Sequence, residues 1–214
     1  MSQEQNNLYL SSILEKAIIL PVLVIENRDD AVPLAEALLE GGCTSVEVTL
    51  RSEAALSAME EIAKSLPELV LGAGTLLEPE QFSQVKNAGA SYALSPGTTR
   101  TLAQAAIDTD FAYVPATATP SEVLELRELG FKIQKLFPAG ASGGTEMLKS
   151  LGSPIADVRF CPTGGVSVSN VNDYLKQSNV ICVGGSWLAP KDLVAEKNWS
   201  AITKIVRESM AAVS

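Results

Sequence analysis

Eight short apolar runs recur along the chain at intervals of roughly 20 to 25 residues, at positions 18–25, 45–50, 69–73, 91–94, 111–114, 131–137, 157–160 and 180–183. Most lack a polar alternation, as expected of strands covered on both faces in a parallel sheet. Stretches with helical spacing lie between them. After the first run, Asp29 or Asp30 can cap a helix with the apolar stripe Ala31, Leu34 and Leu38. Pro33 falls in its tolerated first turn, and Gly41-Gly42 ends it. Ser52, Glu78-Pro79, Ser121 and Ser169 offer comparable starts, and Trp199, Ile202, Ile205 and Val206 form the last stripe. The segment 11–16 reads as a short leading helix. Eight strand–helix units in 214 residues predict an α/β fold: one domain spanning 1–214, a (β/α)8 TIM barrel, with an open doubly wound sheet as the alternative.

Composition narrows the chemistry. The chain has no histidine, which excludes a Ser-His-Asp triad, a histidine base and the usual histidine-ligated zinc site. Acid–base work falls to Glu, Asp, Lys, Tyr or Cys, and we expect neither a metal nor a cofactor. A formal charge of −9 argues against nucleic-acid and membrane surfaces. No apolar run reaches the roughly 18 residues of a membrane span, and the polar start lacks a secretory pattern. Cys43, Cys161 and Cys182 sit in or beside apolar stretches and read as reduced core residues of a cytoplasmic protein.

The run F-K-I-Q-K-L-F-P, 131–138, carries a lysine inside an apolar strand. Alternation puts Phe131, Ile133, Lys135 and Phe137 on one side. Burying an ammonium there costs several kcal/mol unless it is paired or neutralised, so Lys135 is a candidate Schiff-base nucleophile. Lys132 faces the other way, toward solvent. In the second run, S-V-E-V-T-L-R, Val46, Val48 and Leu50 should face the helices while Glu47, Thr49 and Arg51 face the interior. Glu47 is then a candidate acid–base group; the alternative is a structural ion pair with Lys135 or Arg159.

Strand ends carry the sites of such barrels. The third run ends G-A-G-T with Thr75 at the rim, and Ser95-Pro96-Gly97 makes a turn and a site wall. C-P-T-G-G (161–165) and V-G-G-S-W (183–187) put paired glycines after the last two strands, where backbone N–H groups can hold phosphate or carboxylate.

V-E-V-T-L-R (46–51), G-A-G-T (72–75), S-P-G (95–97), K-L-F-P-A (135–139), R-F-C-P-T-G-G (159–165) and G-G-S-W (184–187) occur in one order. Together they closely resemble the class I aldolase family of 2-keto-3-deoxy-6-phosphogluconate (KDPG) and 4-hydroxy-2-oxoglutarate (KHG). The resemblance implies a (β/α)8 homotrimer that cleaves 2-keto-4-hydroxy acids to pyruvate and an aldehyde. It implies Lys135 as the imine-forming lysine and Glu47 as the general acid–base. It further implies Arg51 and Thr75 on the keto-acid carboxylate and Thr163 on bound substrate. Gly164, Gly165, Gly185 and Ser186 would cradle phosphate, and Pro96 and Phe137 would complete the substrate-binding walls. Two segments depart from the family pattern: Pro115-Ala116-Thr117-Ala118-Thr119 in place of P-G-x-S-T, and Pro138-Ala139-Gly140 in place of P-A-E. Both fall at the expected mouth. Two other readings use the same residues: a sugar-phosphate isomerase or epimerase with Glu47 as proton shuttle, and a non-catalytic anion-binding module built on a Lys135–Glu47 pair.

Overall fold

Alternation of side chains along each short strand sorts them into two separate cores. The computed structural model describes residues 2–213. Its strands are β1 (Ile19–Leu23), β2 (Ser45–Thr49), β3 (Val70–Gly74), β4 (Tyr92–Leu94), β5 (Tyr113–Val114), β6 (Ala116–Thr117), β7 (Ile133–Leu136), β8 (Arg159–Pro162) and β9 (Val183–Gly185). The helices are α1 (Gln3–Ala17), α2 (Ala31–Gly41), α3 (Ala55–Ser65), α4 (Gln81–Asn87), α5 (Arg100–Asp108), α6 (Pro120–Glu128), α7 (Gly144–Gly152), α8 (Val171–Leu175), α9 (Lys191–Ala195) and α10 (Trp199–Ala211).

The ladders between these strands are parallel and form a six-stranded sheet, β5-β4-β3-β2-β1-β9, and a three-stranded sheet, β6-β7-β8. Pro115, which has no N–H to give a ladder, separates β5 from β6; its carbonyl still accepts from the Lys135 N–H at 2.8 Å. On the other flank, isolated parallel bridges pair Phe160 with Val180 and Thr163 with Gly184. The architecture is thus α/β, a curled parallel sheet in two segments. The fifth predicted strand, 111–114, is shortened to β5, and a further short strand, β6, follows Pro115 and joins the other sheet.

Ile19, Leu23, Val46, Val48, Ala93, Tyr113 and Phe160 pack outward against Leu34, Leu38, Ile62, Phe82 and Val206 of the helices. Their neighbours Leu20, Tyr92, Leu94, Ala112, Val114, Ile133, Cys161 and Cys182 form a second cluster on the other face. Leu10 and Leu14 of α1 complete that inner cluster. Helix α1 lies at the amino ends of the strands: the Asn7 side chain bonds the Gly130 carbonyl and the Lys132 N–H, and Glu15 pairs with Arg159.

The leading helix begins at Gln3 rather than Ser11, because Ser2 and Gln5 make a reciprocal capping box that starts it in the polar segment. Thr119 with Glu122 likewise starts α6, displacing Ser121 as the expected start. Asn170, not Ser169, precedes α8. Asp30 precedes α2 without capping it; its carboxylate pairs with Lys197 at 2.9 Å. Gly42, at φ 110°, ends α2 in the left-handed conformation. Lys132 is half-exposed, as its strand phase predicts, and pairs with Asp157 together with Arg127. That double pairing holds the Asp157 carboxyl well below its usual range.

Candidate active site

Strand β2 directs Glu47 and strand β7 directs Lys135 to the same interior point. Lys135 Nζ lies 3.1 and 3.2 Å from Glu47 Oε1 and Oε2, and the two side chains are 5 % and 1 % exposed. Neither charge has water to solvate it, so each compensates the other. Room for the carboxylate comes from β3: a Cβ on Gly74 would stand 2.1 Å from Glu47 Oε1. Below the pair, the Tyr92 hydroxyl and Ser45 Oγ share a hydrogen bond of 2.7 Å, and burial pushes Tyr92 well above the usual phenol range. The Phe137 ring centroid is 5.7 Å from Lys135 Nζ. In the ladders Ala116 and Cys161 flank Lys135. Of the two pairing partners weighed for Glu47, the fold selects Lys135; Arg159 is engaged by Glu15.

Arg51 follows β2, and its Nε donates to Thr49 Oγ1 at 3.0 Å. Arg51 and Ser186 both line a cleft of about 360 Å³. The cleft is walled by β1 and its extension to Glu26, by Leu34, and by the Ala189–Ala195 segment. Thr75, half-buried, follows Gly74 with φ 63°, and Pro96 is half-buried in the turn after β4. Among the described residues neither hydrogen-bonds to the Lys135–Glu47 pair. In that turn Ser95 Oγ meets the buried Tyr113 hydroxyl at 2.5 Å, a tie that anchors the loop to β5.

Thr163 Oγ1 would lie 2.1 Å from a Cβ on Gly184, so glycine there admits the threonine to the interior. Gly164 and Gly165 have φ 89° and 82°, a conformation that L-residues rarely adopt. Gly165 and Ser186 are exposed on the rim. Gly185 is buried, and a Cβ on it would meet the Trp187 ring at 2.2 Å. Packing against tryptophan is therefore sufficient reason for that glycine. At the second departure from the family pattern, the Gly140 N–H donates to the Gly164 carbonyl at 2.8 Å, which ties the loop after β7 to the loop after β8.

The buried centre contains one nucleophilic amine and an adjacent carboxylate. Such a set can form an imine and shuttle protons. Among the described residues no group of three or more Cys, Asp or Glu side chains converges as a metal requires, and no helix is long and apolar enough to cross a membrane. Sequence reasoning gave Tyr92 and Thr49 no role, and read Gly74 as part of a small-residue strand end rather than as clearance for Glu47. Thr49 was findable, because it shares its strand face with Glu47 and Arg51.

The family model described as KDPG and KHG aldolase matches residues 10–205. The KHG/KDPG aldolase of Escherichia coli K12 is 44 % identical over 199 residues, 93 % of each chain. The 2-dehydro-3-deoxy-phosphogluconate aldolase of Pseudomonas aeruginosa is 41 % identical over 207 residues, 97 % of this chain and 94 % of its own. Among solved structures, KDPG aldolase from Legionella pneumophila, with pyruvate captured as a covalent carbinolamine intermediate, superposes with a TM-score of 0.91 at 41 % identity, covering 93 % of this chain and 97 % of its own. The Zymomonas mobilis enzyme with 3-phosphoglycerate gives 0.87 at 40 %, covering 96 % and 98 %.

Proposed function

This chain belongs to the KDPG and KHG aldolase family, and from that premise we propose that it is a metal-independent aldolase working through a Schiff base on Lys135. Its substrate is a 2-keto-4-hydroxy acid, KDPG or 4-hydroxy-2-oxoglutarate. The products are pyruvate and glyceraldehyde 3-phosphate or glyoxylate. The observation that carries this reading is the buried amine 3.1 Å from a buried carboxylate, in a chain whose relative holds pyruvate as a carbinolamine.

The chemistry follows from the pair. The amine must give up a proton before it can attack, and Glu47 is the acceptor at hand. Neutral Lys135 adds to C2, and Glu47 returns its proton to the carbinolamine hydroxyl so that it leaves as water. The protonated imine becomes an electron sink while Glu47 is again a carboxylate. The C3–C4 electron pair then moves into that sink as Glu47, directly or through water, takes the C4 hydroxyl proton. The aldehyde departs and an enamine remains. A proton returns to C3, and water hydrolyses the imine to release pyruvate and the free lysine.

In this reading Arg51 and Thr75 hold the carboxylate and Thr163 contacts the substrate. Gly164, Gly165, Gly185 and Ser186 receive the phosphate, while Pro96 and Phe137 wall the site. We also read the two sheets as one ring of eight strands in a single domain, supported by the continuity through Pro115 and by the bridges to Val180 and Gly184. We read the protein as a homotrimer on the family resemblance and as cytoplasmic on its apolar-flanked cysteines, and light scattering tests its size.

Borohydride with pyruvate tests the central claim. An irreversible adduct should map to Lys135, and Lys135→Met should abolish both adduct and turnover. Turnover surviving that substitution removes the lysine from the mechanism. Glu47→Gln should slow turnover more than it weakens binding.

A further inference from the structure

The strand that delivers Glu47 and Arg51 places Thr49 between them. We propose that Thr49 is a positioning residue that holds the Arg51 guanidinium for end-on recognition of the keto-acid carboxylate. The inference rests on the aldolase reading above and adds to it the mode of carboxylate recognition.

Thr49 is buried, 1 % exposed, so its hydroxyl bonds to the protein. It has two partners, the Leu23 carbonyl at 2.7 Å and Arg51 Nε at 3.0 Å. A carbonyl can only accept, so the single hydroxyl proton points to Leu23. The oxygen's lone pairs are left to face Arg51, whose Nε donates to them. The direction of both bonds is therefore forced.

A guanidinium offers a carboxylate two kinds of bidentate edge. The side-on edge uses Nε and one terminal nitrogen, and the end-on edge uses both terminal nitrogens. Nε carries one proton, and Thr49 takes it. Only the end-on edge remains for a ligand. Leu23, Arg51 and Ser186 border a cleft of about 360 Å³ that neither Lys135 nor Glu47 lines, so the proposal rests on the Thr49 hydrogen bonds and not on that cleft. The Thr49 hydroxyl ties the end of β1 to the guanidinium and sets the direction in which Arg51 leaves β2. Without the tie, a long side chain rising to an exposed rim must be ordered by the ligand itself, and affinity falls.

Thr49→Val keeps the shape and removes the hydroxyl; Thr49→Ser keeps the hydroxyl. The readouts are pyruvate affinity by titration calorimetry, and KM against kcat for cleavage. In the valine variant pyruvate binding and KM should weaken about tenfold, the size of one weakened charged hydrogen bond, with kcat within about twofold. Serine should restore wild-type values. In an Arg51→Ala background the valine substitution should change nothing further. If valine prevents folding, checked by circular dichroism, Thr49→Ala removes the hydroxyl without setting a methyl group against the Leu23 carbonyl. Unchanged affinity in the folded variant, a fall in kcat in place of KM, or full additivity with Arg51→Ala overturns the proposal. Wild-type protein that binds pyruvate but forms no borohydride adduct overturns the Schiff-base reading alone and leaves the Thr49 comparison readable. Absence of pyruvate binding overturns both.

Discussion

Lys135 and Glu47 are both deeply buried, and in the described structure each is the other's charged partner at 3.1 Å. Removing one member of such a pair strands the other charge, at a cost of about 3–5 kcal/mol. Lys135→Met should therefore remain folded but melt roughly 10 °C lower in a domain of this size. Adding Glu47→Gln should restore part of that loss without restoring turnover. A thermal melt read beside a turnover assay checks both, and an unshifted melt would mean that the pair is not desolvated. Gly74→Ala tests the carboxylate's position. The new Cβ would sit 2.1 Å from Glu47 Oε1, so the carboxylate must move off the amine. We expect kcat to fall about a hundredfold, with the circular dichroism spectrum unchanged.

At the scale of elements, the inner apolar cluster depends on α1. Leu10 and Leu14, at 1 % and 0 % exposure, close the amino ends of the strands against Leu20, Tyr92, Leu94 and Ile133. Leu14→Ala should cost about 2–5 kcal/mol, the range for a buried leucine whose cavity cannot collapse. Glu47 and Lys135 are held by β2 and β7, and no described hydrogen bond joins either to α1, so activity per folded molecule should hold. Urea midpoints and specific activity measured together decide this; lost activity in the folded fraction would mean that the plug shapes the site. The strand positions were legible because runs such as 45–50 carry their own signal. The full extent of α1 was not. Its first half is polar, and only the capping pair Ser2 and Gln5 marks its start. The site lysine was legible for the opposite reason: a charge in an apolar strand is conspicuous. Thr163 was readable as a site residue, but its fit into the space that a side chain on Gly184 would fill was not.

For the molecule as a whole, burial builds in a sensitivity to alkali. It pushes the Cys43 thiol up to about 12 and the Tyr113 hydroxyl up to about 12. In the unfolded chain these groups ionise near about 8.5 and about 10. Folded-state values are raised, so the stabilisation they represent is complete below about pH 8.5. It drains away as pH rises toward about 12. Urea midpoints should fall through that window. Cys43→Ala should flatten the part of the decline between about pH 8.5 and 10, with the tyrosinate absorbance of the buried Tyr92 and Tyr113 appearing only on unfolding. A decline identical in wild type and Cys43→Ala would locate the alkaline sensitivity elsewhere.

By itself the sequence determined which way side chains within the strands face, since the two-residue repeat of a strand is a local property of the backbone. It therefore placed Glu47, Thr49, Arg51 and Lys135 on the interior side and Val46 and Val48 on the helix side. Phe131, expected beside Ile133 and Lys135, precedes β7 and packs instead in the outer cluster against Tyr113. Only the tertiary structure decided that an amine and a carboxylate 88 residues apart meet, that Gly74 clears the space between strands for them, and that α1 seals the far end. Those distances depend on how the sheet curls and in what register the strands align. Register is set by the sum of packing contacts across the whole molecule, and no single segment encodes it.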